Sequence, residues 1–370
     1  MSADLFERIA DLPLVVEGHD RRVRERATSS GFDRVTTTFA LRGASATGRG
    51  EDVTYDAEDH ERLRDHPIDL AGEYTFAEFS ARLDGAALFP EPPERASSRH
   101  YRRWALESAG LDLALRQADT DLATALDRRY DPVRFVVSTR LAPDAGESGS
   151  ETGTDDGSDP VEAPATDRLD RVLAAYPDTE FKLDPTDAWD DALVADLADY
   201  PVRVLDLKGQ YRGTSVDQSP DPDLYERVLS AFPEAVVEDP ALTDATRPLV
   251  ERAADRISWD APITGVGSVR ELPLEPSWLN VKPSRFGTVR SLFETIEYAR
   301  ERDVSLYGGG QFELGVGREQ IQALAGLFYP GGPNDVAPGG YNDPDVPAGL
   351  PTAPLARPEA RVGFRWSSPE

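Results

Sequence analysis

Three lysines stand against 37 arginines in this 370-residue chain, and each lies at the end of a short apolar run. They are Lys182 in EFKLD, Lys208 in VRVLDLKG and Lys282 in LNVKPSRFG. Arginine stays protonated at any ordinary pH, whereas a desolvated lysine can fall toward neutrality and act as a base. Interleaved with the lysines are three carboxylates, Asp206, Glu238 and Asp260, again at the ends of apolar runs. Converging carboxylates without His or Cys partners favour Mg²⁺, a hard cation that keeps positions open for water or substrate. All four histidines (His19, His60, His66, His100) precede residue 101, so a histidine base on the later strands is excluded. The pattern points to a hard-metal site flanked by lysine acid/base groups.

Such groups need strand ends to carry them. From RFVVSTRL onward the chain repeats a short apolar strand followed by a helix: TEFKLD, VRVLDLKG, AVVEDP, ISWDAPI, SWLNVKP and VSLYGG are the further strands. This alternation predicts βαβ units and a parallel sheet. Seven strands and a poorly marked eighth near NDVAP suit a (β/α)-barrel of TIM type better than an open doubly wound sheet. The first βα turn carries no GxGxxG, which disfavours a dinucleotide fold. In a barrel, reactive groups gather where strands end. Alternation along a strand puts Lys182 with Asp184, Asp206 with Lys208, and Asn280 with Lys282 on shared faces. Asp239, next to Glu238, is expected to point outward or to cap the following helix. Trp189 and Trp259 read as packing residues.

Before the barrel, residues 1–131 read as an α+β domain. Extended stretches lie within 14–60, followed by helical periodicity that is strongest in SSRHYRRWALESAGLDLALRQA. The barrel is expected over 132–345, with an acidic Gly/Ser-rich insertion at about 142–166 that lacks the apolar residues to order itself. A Pro/Gly-rich tail, 346–370, is expected to pack back on the surface or on the N-terminal domain.

Acidic and basic residues number 68 and 40, a net charge of -28. That field repels nucleic acid and anionic lipid, so neither is an expected partner. The excess runs through the whole chain and suggests a high-salt cytoplasm, where screening makes self-repulsion tolerable. The expected result is unfolding at low salt that added KCl reverses, read by circular dichroism. With no cysteine, disulfides and thiolate chemistry are ruled out. No apolar run approaches membrane-spanning length, and MSADLFERIADLP lacks a signal-peptide layout. A soluble, cytoplasmic homo-oligomer acting on a small carboxylate is the expectation.

Taken in order, these motifs resemble the enolase superfamily, on the side of the muconate-lactonising enzymes and o-succinylbenzoate synthases. GRGE at 48–51 is similar to the GxGE of that superfamily's capping domain, and WALESAGLDLALR at 104–116 to its last helix. LDLKG, VVEDP and SWDAP resemble the strand ends that hold Mg²⁺; VKPSRFG resembles the lysine strand, and GGGQFELGVGREQIQALAG the late strand and helix. The resemblance implies a barrel with an N-terminal capping domain. It implies that Asp206, Glu238 and Asp260 bind Mg²⁺ and that Lys282 is one of two bases. The implied reaction removes a proton α to a carboxylate, with Mg²⁺ stabilising the enediolate.

Two departures matter. Where the superfamily has Lys-x-Lys, with the second lysine catalytic, this chain has Lys182-Leu183-Asp184, and where it often has Asn, this chain has Lys208. Lys182 takes over, or Asp184 stands in as acid/base, or Lys208 supplies the missing ammonium while Asp184 orients it. The plainer alternative is an Asp184–Lys208 ion pair filling the barrel mouth. Asn280, Arg285, Gln311 and Glu313 are candidate substrate contacts, and Gly308 to Gly310 could let backbone approach a ligand. The stretch 27–33 and residues near Glu51 occupy positions that shape substrate choice in relatives. Cycloisomerase, o-succinylbenzoate synthase-like, epimerase and acid-sugar dehydratase activities stay open. The competing readings are a metal- and carboxylate-binding barrel without turnover, because Lys-x-Lys is broken, and a purely structural role.

Overall fold

Glycines at 48 and 50 let a strand lie directly on a helix. A Cβ on Gly48 would come within 2.3 Å of Ala109 O, and one on Gly50 within 2.0 Å of Ala105 O. The strand is β4 (Ala46–Asp52), last of the antiparallel order β2 (Gly18–Ala27), β3 (Asp33–Gly43), β4. The helix is Ser98–Gln117. Phe39 and Leu41 from β3 join Ala105, Leu106, Ala109 and Leu113 in one apolar cluster, completed by Phe79 and Leu83 of the helix Phe76–Asp84. That shorter helix is fixed at its start by a reciprocal Thr75/Glu78 capping box, worth ~1 kcal/mol. A two-stranded ribbon pairs β1 (Pro13–Val16) with β5 (Gly72–Thr75).

The computed structural model describes residues 4–141, 166–212, 216–358 and 362–366. The expected acidic insertion therefore lies, except for Thr166, outside the described residues. The chain packs as two compact units, Met1–Phe135 with Pro262–Glu370, and Val136–Ala261.

Within Val136–Ala261 five parallel strands follow one another: β6 (Val136–Thr139), β7 (Glu180–Leu183), β8 (Val202–Asp206), β9 (Val236–Glu238) and β10 (Ile257–Trp259). Helices Asp167–Ala175, Asp191–Leu197, Pro222–Ala231 and Arg247–Arg252 connect them. Nearly every strand residue is buried, as expected of a parallel sheet covered on both faces. Trp189 and Trp259 are fully buried packing residues.

In the other unit, β11 (Trp278–Val281) pairs in parallel with β12 (Ser305–Gly308), and helices Val289–Arg300 and Val316–Phe328 follow them. The stretch NDVAP does not form the anticipated eighth strand. It supplies only isolated parallel bridges, Phe135 to Asn334 and Gly309 to Asp335. Asn334 explains the shortness: its side-chain amide donates to the carbonyls of Arg134, Tyr329 and Gly332, and its Oδ1 accepts from Gly308 N, so side chain replaces ladder. The described tail returns to the same unit, with Phe364 N donating to Asp112 and Leu355 bridging Val133.

Candidate active site

In β8 and β9 the register sets Asp206 opposite Glu238, so two carboxylates end adjacent strands side by side. Both are fully buried. Hydrogen bonds continue the ladder past the strand ends, from Leu207 N to Glu238 O and from Asp239 N to Ser258 O, both 2.9 Å. The loops carrying the acidic groups are thus held as firmly as the strands.

Lys182, 1% exposed, is the charge that balances this pair. Its Nζ lies 2.5 Å from Glu238 Oε1 and 3.0 Å from Asp206 Oδ2. Lys208 binds the same Asp206 oxygen and stands 3.4 Å from Asp184 Oδ1. The Asp184–Lys208 ion pair is therefore present, and it shares Lys208 with Asp206. Burial acts to raise the Asp206 carboxyl, but the ammonium groups of Lys182 and Lys208 outweigh it and hold the group far below the usual range. For Lys208 burial acts downward, yet Asp184 and Asp206 prevail and raise its pKa. Its proton is bound more tightly than in free lysine, which suits a standing positive charge. Burial pushes Asp184 upward against the pull of Lys208.

Asp260 follows β10 and is fully buried, its Oδ2 accepting from Tyr211 Oη at 2.8 Å. Asp239 corrects the sequence expectation. It neither faces outward nor caps a helix; it is fully buried and accepts from the amides of Asp260 and Ala261, each at 2.8 Å. The reason is local: with φ at +49° the chain leaves the extended conformation at Asp239, and strand alternation no longer applies. Burial, with the charges of Asp260 and Asp206, pushes Asp239 up to about 7.

Among the described residues no three His, Cys, Asp or Glu side chains are grouped as a ready metal cage. The donor set still fits a hard divalent cation: three buried carboxylates, one from each of three neighbouring strand ends, with no nitrogen or sulfur ligand competing. Lys182 and Lys208 provide positive charge to Asp206 and Glu238, and the Tyr211 hydroxyl donates to Asp260.

The remaining sequence candidates belong to the unit holding β11 and β12. Lys282, 7% exposed, directly follows β11, and Asn280 on that strand is buried. Both press on Gly309, where a Cβ would meet Asn280 Oδ1 at 2.6 Å and Lys282 Cε at 2.8 Å. The glycine run after β12 is thus explained at this position by side-chain approach. Gln311 accepts from Tyr55 Oη at 2.8 Å, its carbonyl accepts from Arg34 Nε at 3.1 Å, and its amide donates to Glu313 at 2.7 Å. Glu313 also pairs with Arg318 at 3.3 Å. Arg285 lies in the short helix Pro283–Phe286. Burial raises the Tyr55 phenol, opposed by the nearby charges of Arg34, Lys282 and Arg285.

Tyr55 and Arg34 were not singled out by sequence, although Tyr55 lies four residues past the GRGE glutamate. Glu51 itself anchors the loop between β12 and the last helix, accepting from the amides of Leu314, Gly315 and Gly317 at 2.7, 3.0 and 2.8 Å. Glu51→Ala strands those three donors, and a loss of about 3 kcal/mol in urea unfolding is expected.

Two family models match the chain: "Domain of unknown function (DUF8230) N-terminal domain" over residues 7–125 and "Domain of unknown function (DUF8230) C-terminal domain" over residues 129–343. No curated protein matches the sequence. Among solved structures, the chain is similar to a dipeptide epimerase from Methylococcus capsulatus complexed with Mg ion, at 16% identity and TM-score 0.61, covering 96% of this chain and 100% of that one. It is also similar to the muconate lactonizing enzyme from Pseudomonas putida, at 18% identity and TM-score 0.57, covering 87% and 88%. An enolase superfamily member from Listeria innocua matches at 16% identity and TM-score 0.58, over 88% and 86%. The fold is the (β/α)-barrel of TIM type with an N-terminal α+β cap that these enolase superfamily proteins share.

Proposed function

Because the chain belongs to the DUF8230 family and has the enolase superfamily fold, we propose that it is a Mg²⁺-dependent lyase or isomerase that removes a proton α to a carboxylate. The observation that carries this reading is the buried trio Asp206, Glu238 and Asp260 at neighbouring strand ends, the first two paired with lysine. Asp206, Glu238 and Asp260 would hold Mg²⁺, which when bound would supply positive charge to a substrate carboxylate. Lys282 takes or returns the α-proton. Lys182, beside both Asp206 and Glu238, helps keep Asp206 ionised, ready for a cation. Asp184 stands in the place of the superfamily's second catalytic lysine, and Lys208, which it orients, supplies fixed positive charge. Asn280, Gln311, Glu313 and Arg285 are the residues assigned to substrate contact in this reading. Cycloisomerisation, epimerisation and acid-sugar dehydration all begin with this step.

A deuterium-exchange screen in D₂O over a panel of carboxylates, in concentrated KCl, tests the reading. Exchange at the α-carbon that EDTA removes and MgCl₂ restores supports it. Metal and carboxylate binding without exchange favours the second reading, a binding barrel, which the tightly held Lys208 proton motivates.

Lys208 gives a sharper test. Its φ of +54° lies in the left-handed region, which asparagine tolerates better than lysine, and its ammonium competes with a metal for Asp206. Lys208→Asn is expected to tighten Mg²⁺ binding about tenfold by calorimetry, because it removes a like charge a few ångströms from the cation.

A further inference from the structure

A cleft of about 930 Å³ in the unit that joins the cap to β11 and β12 collects arginine in a chain of net charge -28. Arg22, Arg24, Arg26, Arg49, Arg318 and Arg365 line it. The first three alternate along β2 and so share one face. Register places Arg22 opposite Thr38 and Thr38 opposite Glu51, which puts Arg49, two residues before Glu51, on that same face. Three of the six have acidic partners: Arg26 with Asp343, Arg318 with Glu313, and Arg365 with Asp112. Arg22, Arg24 and Arg49 have no carboxylate within ion-pair distance among the described residues. Burial and then the charge of Arg365 depress the Arg49 guanidinium, with Asp112 opposing them and Arg116 adding to them.

Glu313, Glu319 and Asp343 also line the cleft, so six arginines face three carboxylates, and an anion supplies the charge that is still missing. A guanidinium matches phosphate or carboxylate oxygens in two-pronged geometry. The volume falls within the ~300–1,000 Å³ of small-molecule clefts. Phe312, Leu355 and Trp366 add apolar surface to the lining. We propose that this cleft binds a small organic anion bearing two or more phosphate or carboxylate groups on a partly apolar body. The inference stands apart from the proton-transfer reading: of the groups used there only Glu313 lines the cleft, as the partner of Arg318.

Calorimetry on the full chain, stripped of divalent metal on a chelating resin and measured in KCl without soluble chelator, tests this with pyrophosphate and citrate as probes and sucrose as the neutral control. One-site binding of either anion is expected, weakened at least tenfold in Arg24→Ser and again in Arg24→Ser/Arg49→Ser. Pyrophosphate binding shows a phosphate ligand, and citrate alone a carboxylate one. Arg300→Ser, on the helix after β11, should bind as the wild type does. A thermal-shift series reads the same contrast: the anion raises the wild-type midpoint and leaves that of the double variant unmoved. If neither anion binds, or if the serine variants bind as tightly as the wild type, the proposal is wrong.

Discussion

Lys282→Met is expected to abolish α-proton exchange, by about a thousandfold, while the protein keeps its stability. The size follows from the ~10²–10⁴-fold worth of a positioned acid/base group. Methionine keeps the length and apolar stem of lysine but cannot carry a proton. Lys282 is 7% exposed and packs its stem against Gly309, so the thioether fills the same space. The measurement is deuterium incorporation into the carboxylate found by the screen, alongside urea unfolding. Retained exchange in a folded Lys282→Met protein would remove this lysine from the chemistry and leave Lys182, Lys208 or Asp184 as the base.

The second large effect is on stability and metal together. Asp206→Ala removes a fully buried carboxylate that serves both Lys182 and Lys208. Lys182 retains Glu238, but Lys208 keeps only Asp184 at 3.4 Å. Breaking a buried ion pair from one side costs about 3–5 kcal/mol, because the surviving charge stays desolvated. The urea midpoint should fall accordingly, and the stabilisation that MgCl₂ gives the wild type at constant ionic strength should vanish. A variant as stable as the parent and still stabilised by MgCl₂ would show that Asp206 neither balances the lysines nor holds metal.

What the sequence made legible here was whatever repeats locally. Strand-end lysines and acids stand out because period-two alternation and apolar runs are visible over a few residues, and β7 to β12 lie where those runs are. Two kinds of feature escaped. Left-handed residues break the alternation: Lys208, Asp239 and Phe312, with φ of 54°, 49° and 56°, all sit just past strand ends. Such conformations cost ~1–3 kcal/mol each and are held by surrounding structure, which no local pattern announces. Long-range partners are equally silent. Glu51 reads as part of a glycine motif, yet its acceptors' task is fulfilled 263 residues away at Leu314. The Lys182 bridge to two carboxylates needs the spatial order of β7, β8 and β9, and the bonds of Arg34 and Tyr55 to Gln311 span more than 250 residues.

That separation bears on how the chain is made. At roughly 5–20 residues per second, Leu314 leaves the ribosome about 13–50 s after Glu51, and Phe364 follows later still. Until then the buried carboxylate of Glu51 lacks all three amides that it serves, whereas the Val136–Ala261 segment has all its own strands in hand. The half-made cap is thus the stretch of the nascent polypeptide most in need of chaperone cover during translation.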